Sequence, residues 1–395
     1  MKRPHVVILS DVDLGRIDAP MMHTCAVARS LSNAGVTVDL IARGPDPRLH
    51  EVAYHAAAHG QVGRAKRIVG VNRRAISVLW HRRRSLDALY VRKDWGSLPA
   101  VLSARLLGLR VVTEVNDLPY GPNYHQRERG LRPWLADRFK RGMARLLWRL
   151  STHIVTVTEG LKSLIVAEYG TSPATITVLP NGVDTDLVVP LTRVEAAARA
   201  GLAEGKTYVV FVGSLEPRVD WETMMRAFAE AARARPLLTL VLVGDGPDLS
   251  SVGTLAAEVG VEDRVVRSGF VSERARVNDF IGAASICLVP LKEEARGLIG
   301  ASPLKLTEYF AAGRAVVATD VPGVREMVQS SEAGLLAPAG DVGAMAAAIG
   351  TLADDLAAAD TMGDAGRKAA EERYSWTSIA ARLIPLLTAS SSSGR

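Results

Sequence analysis

The chain has 395 residues, 48% hydrophobic and 23% charged, with a formal net charge of +6 at pH 7. That length exceeds one ordinary α/β core, so two domains are expected, and no apolar stretch reaches the roughly 20 residues that span a bilayer. The two isolated cysteines, Cys25 and Cys287, offer neither a disulfide framework nor a metal cluster and suit a reduced cytosol.

Met1-Lys2-Arg3-Pro4 leads into a short strand and then Asp11, which is unlike a secretory signal. From there strands are expected at residues 5–9, 36–42, 88–91, 110–113, 153–156 and 175–179, with helices between them, for example at 21–33 and 97–107. Residues 180–192, rich in turn formers and carrying Pro190, read as the linker. The second half resumes with strands at 208–212, 238–243, 264–268, 286–289 and 315–318, and helices at 221–233 and 249–259. Alternation of this kind implies parallel sheets covered on both faces. The expected domains are therefore 1–185 and 186–374, followed by a closing helix at 375–389 and a disordered tail at 390–395.

Charge divides unevenly between these halves. Residues 1–185 carry 27 Lys and Arg against 15 Asp and Glu, and the remainder carries 21 against 27. Much of the excess lies in residues 64–84 and 132–149. The second stretch spaces Leu135, Phe139, Met143, Leu146 and Leu147 near helical periodicity among its cations. Such a helix packs its stripe on its own domain, meets an acidic acceptor, or rests on anionic lipid. Nucleic acid is not expected, because no recognition motif or aromatic platform accompanies the charge.

The segment 301–320 is the most informative. Ser302 suits an N-cap, Pro303 the first helical position, and Gly313 a stop before the strand at 315–318. Lys305 is then a cation in a first turn, where the helix dipole is already positive. A bound anion explains that placement, since a helix start presents N–H groups to phosphate, and Glu308 one turn on can accept from ligand hydroxyls. A surface lysine and a solvated glutamate on an ordinary helix explain it equally well. Gly213, Gly244, Gly246, Gly269 and Pro290 end the second-half strands, where open α/β sheets bind ligands. His23, near the start of a helix, reads as structural, and no Ser/His/Asp set, metal cluster or P-loop is present.

The run Ser302-Pro303-Leu304-Lys305-Leu306, with Glu308-Tyr309 and the stretch 311–323 after it, resembles the donor signature of family 4 glycosyltransferases. Glu114-Val115-Asn116-Asp117, Val178-Leu179-Pro180-Asn181-Gly182-Val183-Asp184 and Val243-Gly244-Asp245-Gly246-Pro247 agree with it in order. The resemblance covers nearly the whole chain. It implies a GT-B fold, with two Rossmann-like domains facing across a cleft and a C-terminal helix crossing back to the first domain. It also implies metal-independent, retaining transfer of a hexosyl group from a nucleotide sugar, UDP favoured and GDP second, with no cofactor beyond that co-substrate.

On this resemblance, Gly213, Ser214, Gly244, Val271, Glu294, Ser302, Pro303, Leu304, Glu308 and Asn181 form the donor set. Arg218, Lys305, Glu308 and Asp117 carry the chemistry. Gly15, Glu114, Asn116 and Asp117 meet the acceptor, which is open between a lipid-linked glycan, a capsule intermediate, a small aminocyclitol and another secondary metabolite. The chain departs from the family at Gly300, where the first glutamate of the usual pair is absent, with Glu293, Glu294 and Arg296 just upstream. It departs again at Ser214 and Val219, which replace an arginine and a lysine and leave Arg218 as the substitute. A GT-B epimerase, a non-sugar coupling enzyme and a non-catalytic nucleotide-sugar-binding subunit are the alternatives. The expected location is cytoplasmic, with peripheral contact at the inner face of the membrane if the basic helix meets lipid.

Overall fold

The computed structural model describes residues 3–16, 18–57, 63–92, 95–118, 131–293 and 297–388. The chain divides into two compact units, Met1–Pro180 with Trp376–Arg395, and Asn181–Ser375. The expected tail at 390–395 lies outside the described residues.

The first unit runs β1 (His5–Asp13), α1 (Ala19–Asn33), β2 (Thr37–Arg43), β3 (Val52–Ala56), α2 (Arg64–Arg82), β4 (Ala88–Arg92), α3 (Leu98–Leu106), β5 (Arg110–Val115), α4 (Leu131–Leu150), β6 (His153–Thr156), α5 (Glu159–Tyr169) and β7 (Ile176–Val178). Its described strands form a seven-stranded parallel sheet in the order β3-β2-β1-β4-β5-β6-β7. The central strands are apolar at nearly every position because helices cover both faces, as with Val6, Val7, Ile8 and Leu9 in β1. The last helix, α14 (Trp376–Thr388), returns to this unit. It buries Ile379, Ala380, Leu383 and Leu387 in one core with Leu31 of α1 and Val112 of β5. Arg110 Nε donates to Leu386 O at 3.0 Å and Arg382 to Val178 O at 2.9 Å, which ties that helix to the sheet at two points.

The second unit runs α6 (Arg193–Ala200), β8 (Thr207–Val212), α7 (Trp221–Ala232), β9 (Leu238–Val243), α8 (Leu249–Glu258), β10 (Val265–Gly269), α9 (Arg274–Ala283), β11 (Ala284–Val289), α10 (Leu304–Ala311), β12 (Ala315–Thr319), α11 (Val324–Ser331), β13 (Gly334–Ala337), α12 (Val342–Asp354) and α13 (Leu356–Ala369). Its described strands form a six-stranded parallel sheet ordered β10-β9-β8-β11-β12-β13. Both units are Rossmann-like, as expected.

The sequence pattern does not predict β3 and β13. Both are edge strands, of five and four residues, and an edge strand needs no continuous apolar run. No single helix among the described residues is long and apolar enough to cross a membrane.

Candidate functional site

In the second unit, the carboxyl ends of β8 and β9 and the start of α10 come together. Gly213 follows β8 with φ 135° and Gly244 follows β9 with φ 138°. A Cβ on Gly213 would stand 2.7 Å from Lys305 Nζ, and one on Gly244 would stand 2.2 Å from Gly213 O. Gly244 is therefore a glycine so that the two strand ends can pack. Gly213 is one so that the Lys305 ammonium can lie beside the backbone, 3.8 Å from the centroid of the Phe211 ring. The Tyr309 hydroxyl accepts from Val212 N at 2.8 Å, pinning α10 to the end of β8.

Burial and the neighbouring positive charge of Arg218 lower the Lys305 ammonium to about 7, against the pull of Glu308 and Glu216. The charge of Arg218 is therefore felt at Lys305. Arg218 is half exposed and pairs with Glu216 at 2.9 Å. Val219, at the usual lysine position, is buried and bridges to Leu291. Beside that bridge Lys292 N donates to Arg218 O at 3.1 Å, so a second cation stands in this loop. Spacing along the chain missed it because the two positions are joined only by the bridge.

Several expected roles change. Ser302 does not cap α10 with its side chain; Pro303 occupies the N-cap position and Leu304 begins the helix. The Ser302 hydroxyl instead accepts from Asn181 N at 2.9 Å, which seats the Asn181-Gly182 turn against the α10 start. Glu308 is buried rather than a solvated glutamate, and its carboxylate pairs with Arg274. Arg274 was absent from the expected set. Its signal was the same oddity that marked Lys305, a cation in the first turn of a helix. Val271 packs against the unit's core, and Ser214 is exposed. Glu294 and Arg296 lie outside the described residues, and Glu293 is exposed.

In the first unit, Glu114 is 1% exposed at the end of β5 and lies at the centre of a polar cluster. Its Oε2 accepts from the Tyr90 hydroxyl. Its Oε1 accepts from Asn116 Nδ2 at 2.6 Å, lies 3.4 Å from Arg92 Nε, and stands 2.8 Å from His23 Nε2. Burial pushes this carboxyl up, but His23, Arg92 and Tyr90 outweigh it and hold the group well below the usual carboxylate range. Burial and Glu114 together push the Tyr90 phenol up. Glu114 is therefore a buried hub, which corrects its expected role as a direct acceptor contact. Asp117 is half-buried at the end of the same segment, and exposed Gly15 donates its N–H to Asp13 Oδ1 at 3.1 Å.

Helix α4 also departs from the packed-stripe expectation. Leu147 and Trp148 are buried, but Trp134, Leu135, Phe139 and Leu146 are exposed, with Arg138 over the Trp134 ring.

Known proteins share both halves of this architecture. Residues 22–187 match Glycosyltransferase Family 4 and residues 206–355 match Glycosyl transferases group 1. The chain is 30% identical over 336 residues to 2-deoxystreptamine glucosyltransferase of Streptomyces kanamyceticus, covering 80% of this chain and 79% of that protein. It is 31% identical over 239 residues to the GDP-mannose-dependent alpha-(1-6)-phosphatidylinositol monomannoside mannosyltransferase of Mycolicibacterium smegmatis. That match covers 60% of this chain and spans 62% of the mannosyltransferase's length. The solved structure of Anabaena HepE in complex with UDP superposes with a TM-score of 0.73 at 15% identity, covering 98% of this chain and 100% of that one, a likeness of fold.

Proposed function

The chain belongs to glycosyltransferase family 4, and from that premise we propose that it moves a hexosyl group from a nucleoside-diphosphate sugar to an acceptor hydroxyl. The observation that carries this reading is the second-unit constellation of the α10 start, Lys305, Arg218 and Glu308, with Asn181 seated on Ser302. N–H groups at the helix start and the two cations bind the diphosphate and take up the charge that develops as it departs. Glu308, oriented by Arg274, receives the ribose hydroxyls.

In the proposed step, the bond from the anomeric carbon to the diphosphate breaks and the acceptor oxygen bonds that carbon on the same face. The acceptor proton passes to a leaving-group oxygen, so configuration is retained without a metal. UDP is the favoured nucleotide, supported by the HepE complex. GDP is second, supported by the relative named for GDP-mannose.

One relative is named for 2-deoxystreptamine and another for a phosphatidylinositol mannoside, so soluble and lipid-borne acceptors both have support. The exposed Trp134, Leu135 and Phe139 beside exposed Arg138 favour peripheral contact with anionic lipid as an accessory property. Incubation with UDP-glucose or GDP-mannose and a panel of cyclitol and glycolipid acceptors, read by mass spectrometry, tests the reading. A product heavier by one hexosyl unit is expected; the absence of nucleotide binding and of any product would overturn it.

A further inference from the structure

The first-unit sheet reverses direction at β1. From β1 the chain passes through α1 to β2 on one side, and it reaches β4 on the other side through α2. Doubly wound sheets bind ligands at such a switch point, beyond the carboxyl ends of the strands. The polar cluster around Glu114 lies there, built from Ser10 of β1, Tyr90 and Arg92 of β4, Glu114 of β5, and His23 and Thr24 of α1.

Most of this cluster is internally satisfied. Arg92 donates to Thr24 Oγ1 at 2.8 Å and to Pro20 O at 2.5 Å, and both Glu114 oxygens have partners. Three buried atoms of the cluster have no hydrogen-bond partner among the described residues: both ring nitrogens of His23, on a side chain 6% exposed, and Asn116 Oδ1; of these only His23 Nε2 faces Glu114, at 2.8 Å from Oε1. Both side chains are anchored on the same oxygen, Glu114 Oε1. That anchoring defines their chemistry. An amide oxygen turned toward a carboxylate would be repelled, so Asn116 keeps its NH2 on Glu114 and presents a carbonyl. Nε2 faces the carboxylate at 2.8 Å, and the ring tautomer that points its N–H there leaves Nδ1 as a lone pair. The edge of His23 meets Trp376 of α14 with ring centroids 5.0 Å apart at 85°, which holds the ring in place.

We propose that His23 Nδ1 and Asn116 Oδ1 form a subsite that receives a protonated amine of the acceptor, with Glu114 as the positioning residue that orients both. Two orphaned acceptors need a group that brings at least two donors. One hydroxyl supplies a single O–H, whereas an ammonium supplies three N–H bonds and a charge suited to the nearby Glu114 and Asp117 carboxylates. The acceptor class is therefore an aminated polyol. Identifying the ligand as the sugar acceptor rests on the transferase reading above; the subsite itself rests on the cluster.

The test is calorimetry on the full chain with two matched probes, a 1,3-diaminocyclitol and myo-inositol. The diamine is expected to bind about tenfold more tightly or better, the ratio expected for one hydrogen bond to a charged group. His23→Phe keeps an aromatic edge for Trp376 without a nitrogen, and Asn116→Leu keeps bulk without a carbonyl. Each is expected to remove most of the preference, while His23→Gln, with an amide N–H for Glu114 and an oxygen acceptor, retains part of it. If His23→Phe fails to fold by circular dichroism, Asn116→Leu gives the same reading. Equal binding of the two probes, or a preference that neither substitution moves, overturns the proposal. Sugar transfer followed in parallel separates the two ideas. Transfer without amine preference sinks the subsite alone, and amine preference without any transfer sinks the transferase reading alone.

Discussion

Lys305 offers the most direct titration of the proposed donor site. Burial beside Phe211 and the charge of Arg218 hold its pKa at about 7 when no anion is bound. A nucleoside diphosphate at the α10 start would supply negative charge and return the lysine toward its ordinary value of about 10.4. Binding then takes up a proton between those two values, and affinity falls as pH rises through that window. The free protein is about half protonated at this lysine at pH 7 and about one-hundredth at pH 9, so Kd for UDP should rise roughly fifty-fold between them. Without ligand, stability should rise with pH across the same window, because the unfolded lysine holds its proton up to about 10.4 and the folded one does not.

Calorimetry of UDP at pH 7, 8 and 9, in buffers of different ionisation enthalpy, reads both the affinity and the proton uptake. Uptake should approach about one proton per UDP near pH 8. Lys305→Met should bind more weakly at pH 7 and lose the slope. Arg218→Ala removes a repelling neighbour, so it should shift the window upward while weakening affinity. A Kd for UDP that is flat from pH 7 to 9, or the same slope in Lys305→Met, would refute the reasoning.

Glu308→Gln should weaken UDP binding by about 1.5–3 kcal/mol, measured by calorimetry with circular dichroism confirming the fold; unchanged affinity removes Glu308 from the site. Gly244→Ala places a methyl 2.2 Å from Gly213 O at φ 138°, so it should lower the melting temperature, with backbone strain alone costing about 1–3 kcal/mol. Transfer should survive excess chelator and yield a product with the donor's anomeric configuration by NMR; loss restored by manganese, or inversion, contradicts the proposed step. Binding to vesicles of acidic lipid, read by co-sedimentation, should fade with salt and fall in Phe139→Ala and Arg138→Glu, each exposed cation contributing about 1 kcal/mol. Protein that stays in the supernatant at low salt removes the lipid contact.

The parts of this molecule that were legible from the chain are those where neighbours in sequence are neighbours in space. The apolar runs at residues 6–9, 208–211 and 238–243 read as buried parallel strands because helices cover both their faces. The Gly213 and Gly244 positions read as strand ends for the same local reason. The misreadings arise where a polar group finds a distant partner. Ser302 has the chemistry of a cap, but Asn181, 121 positions away, takes its hydroxyl, and the helix begins without it. Glu308 reads from the chain as a solvated glutamate, but Arg274, 34 positions back, pairs with its carboxylate and orients it.

Glu114 and His23 depend on distant partners in the same way. Each alone is ambiguous: a strand-end carboxylate is as often a turn former as a ligand contact, and an isolated histidine near a helix start reads as structural. Their pairing fills the oxygens of Glu114 and turns His23 Nε2 toward it, so that His23 Nδ1 faces away without a partner among the described residues. The function of a polar residue in such a site is thus set by the atoms its neighbours leave unpaired. Local pattern marks Asn116 only as a polar residue at a strand end. The partner of its amide nitrogen shows which of its two polar atoms is left unpaired among the described residues.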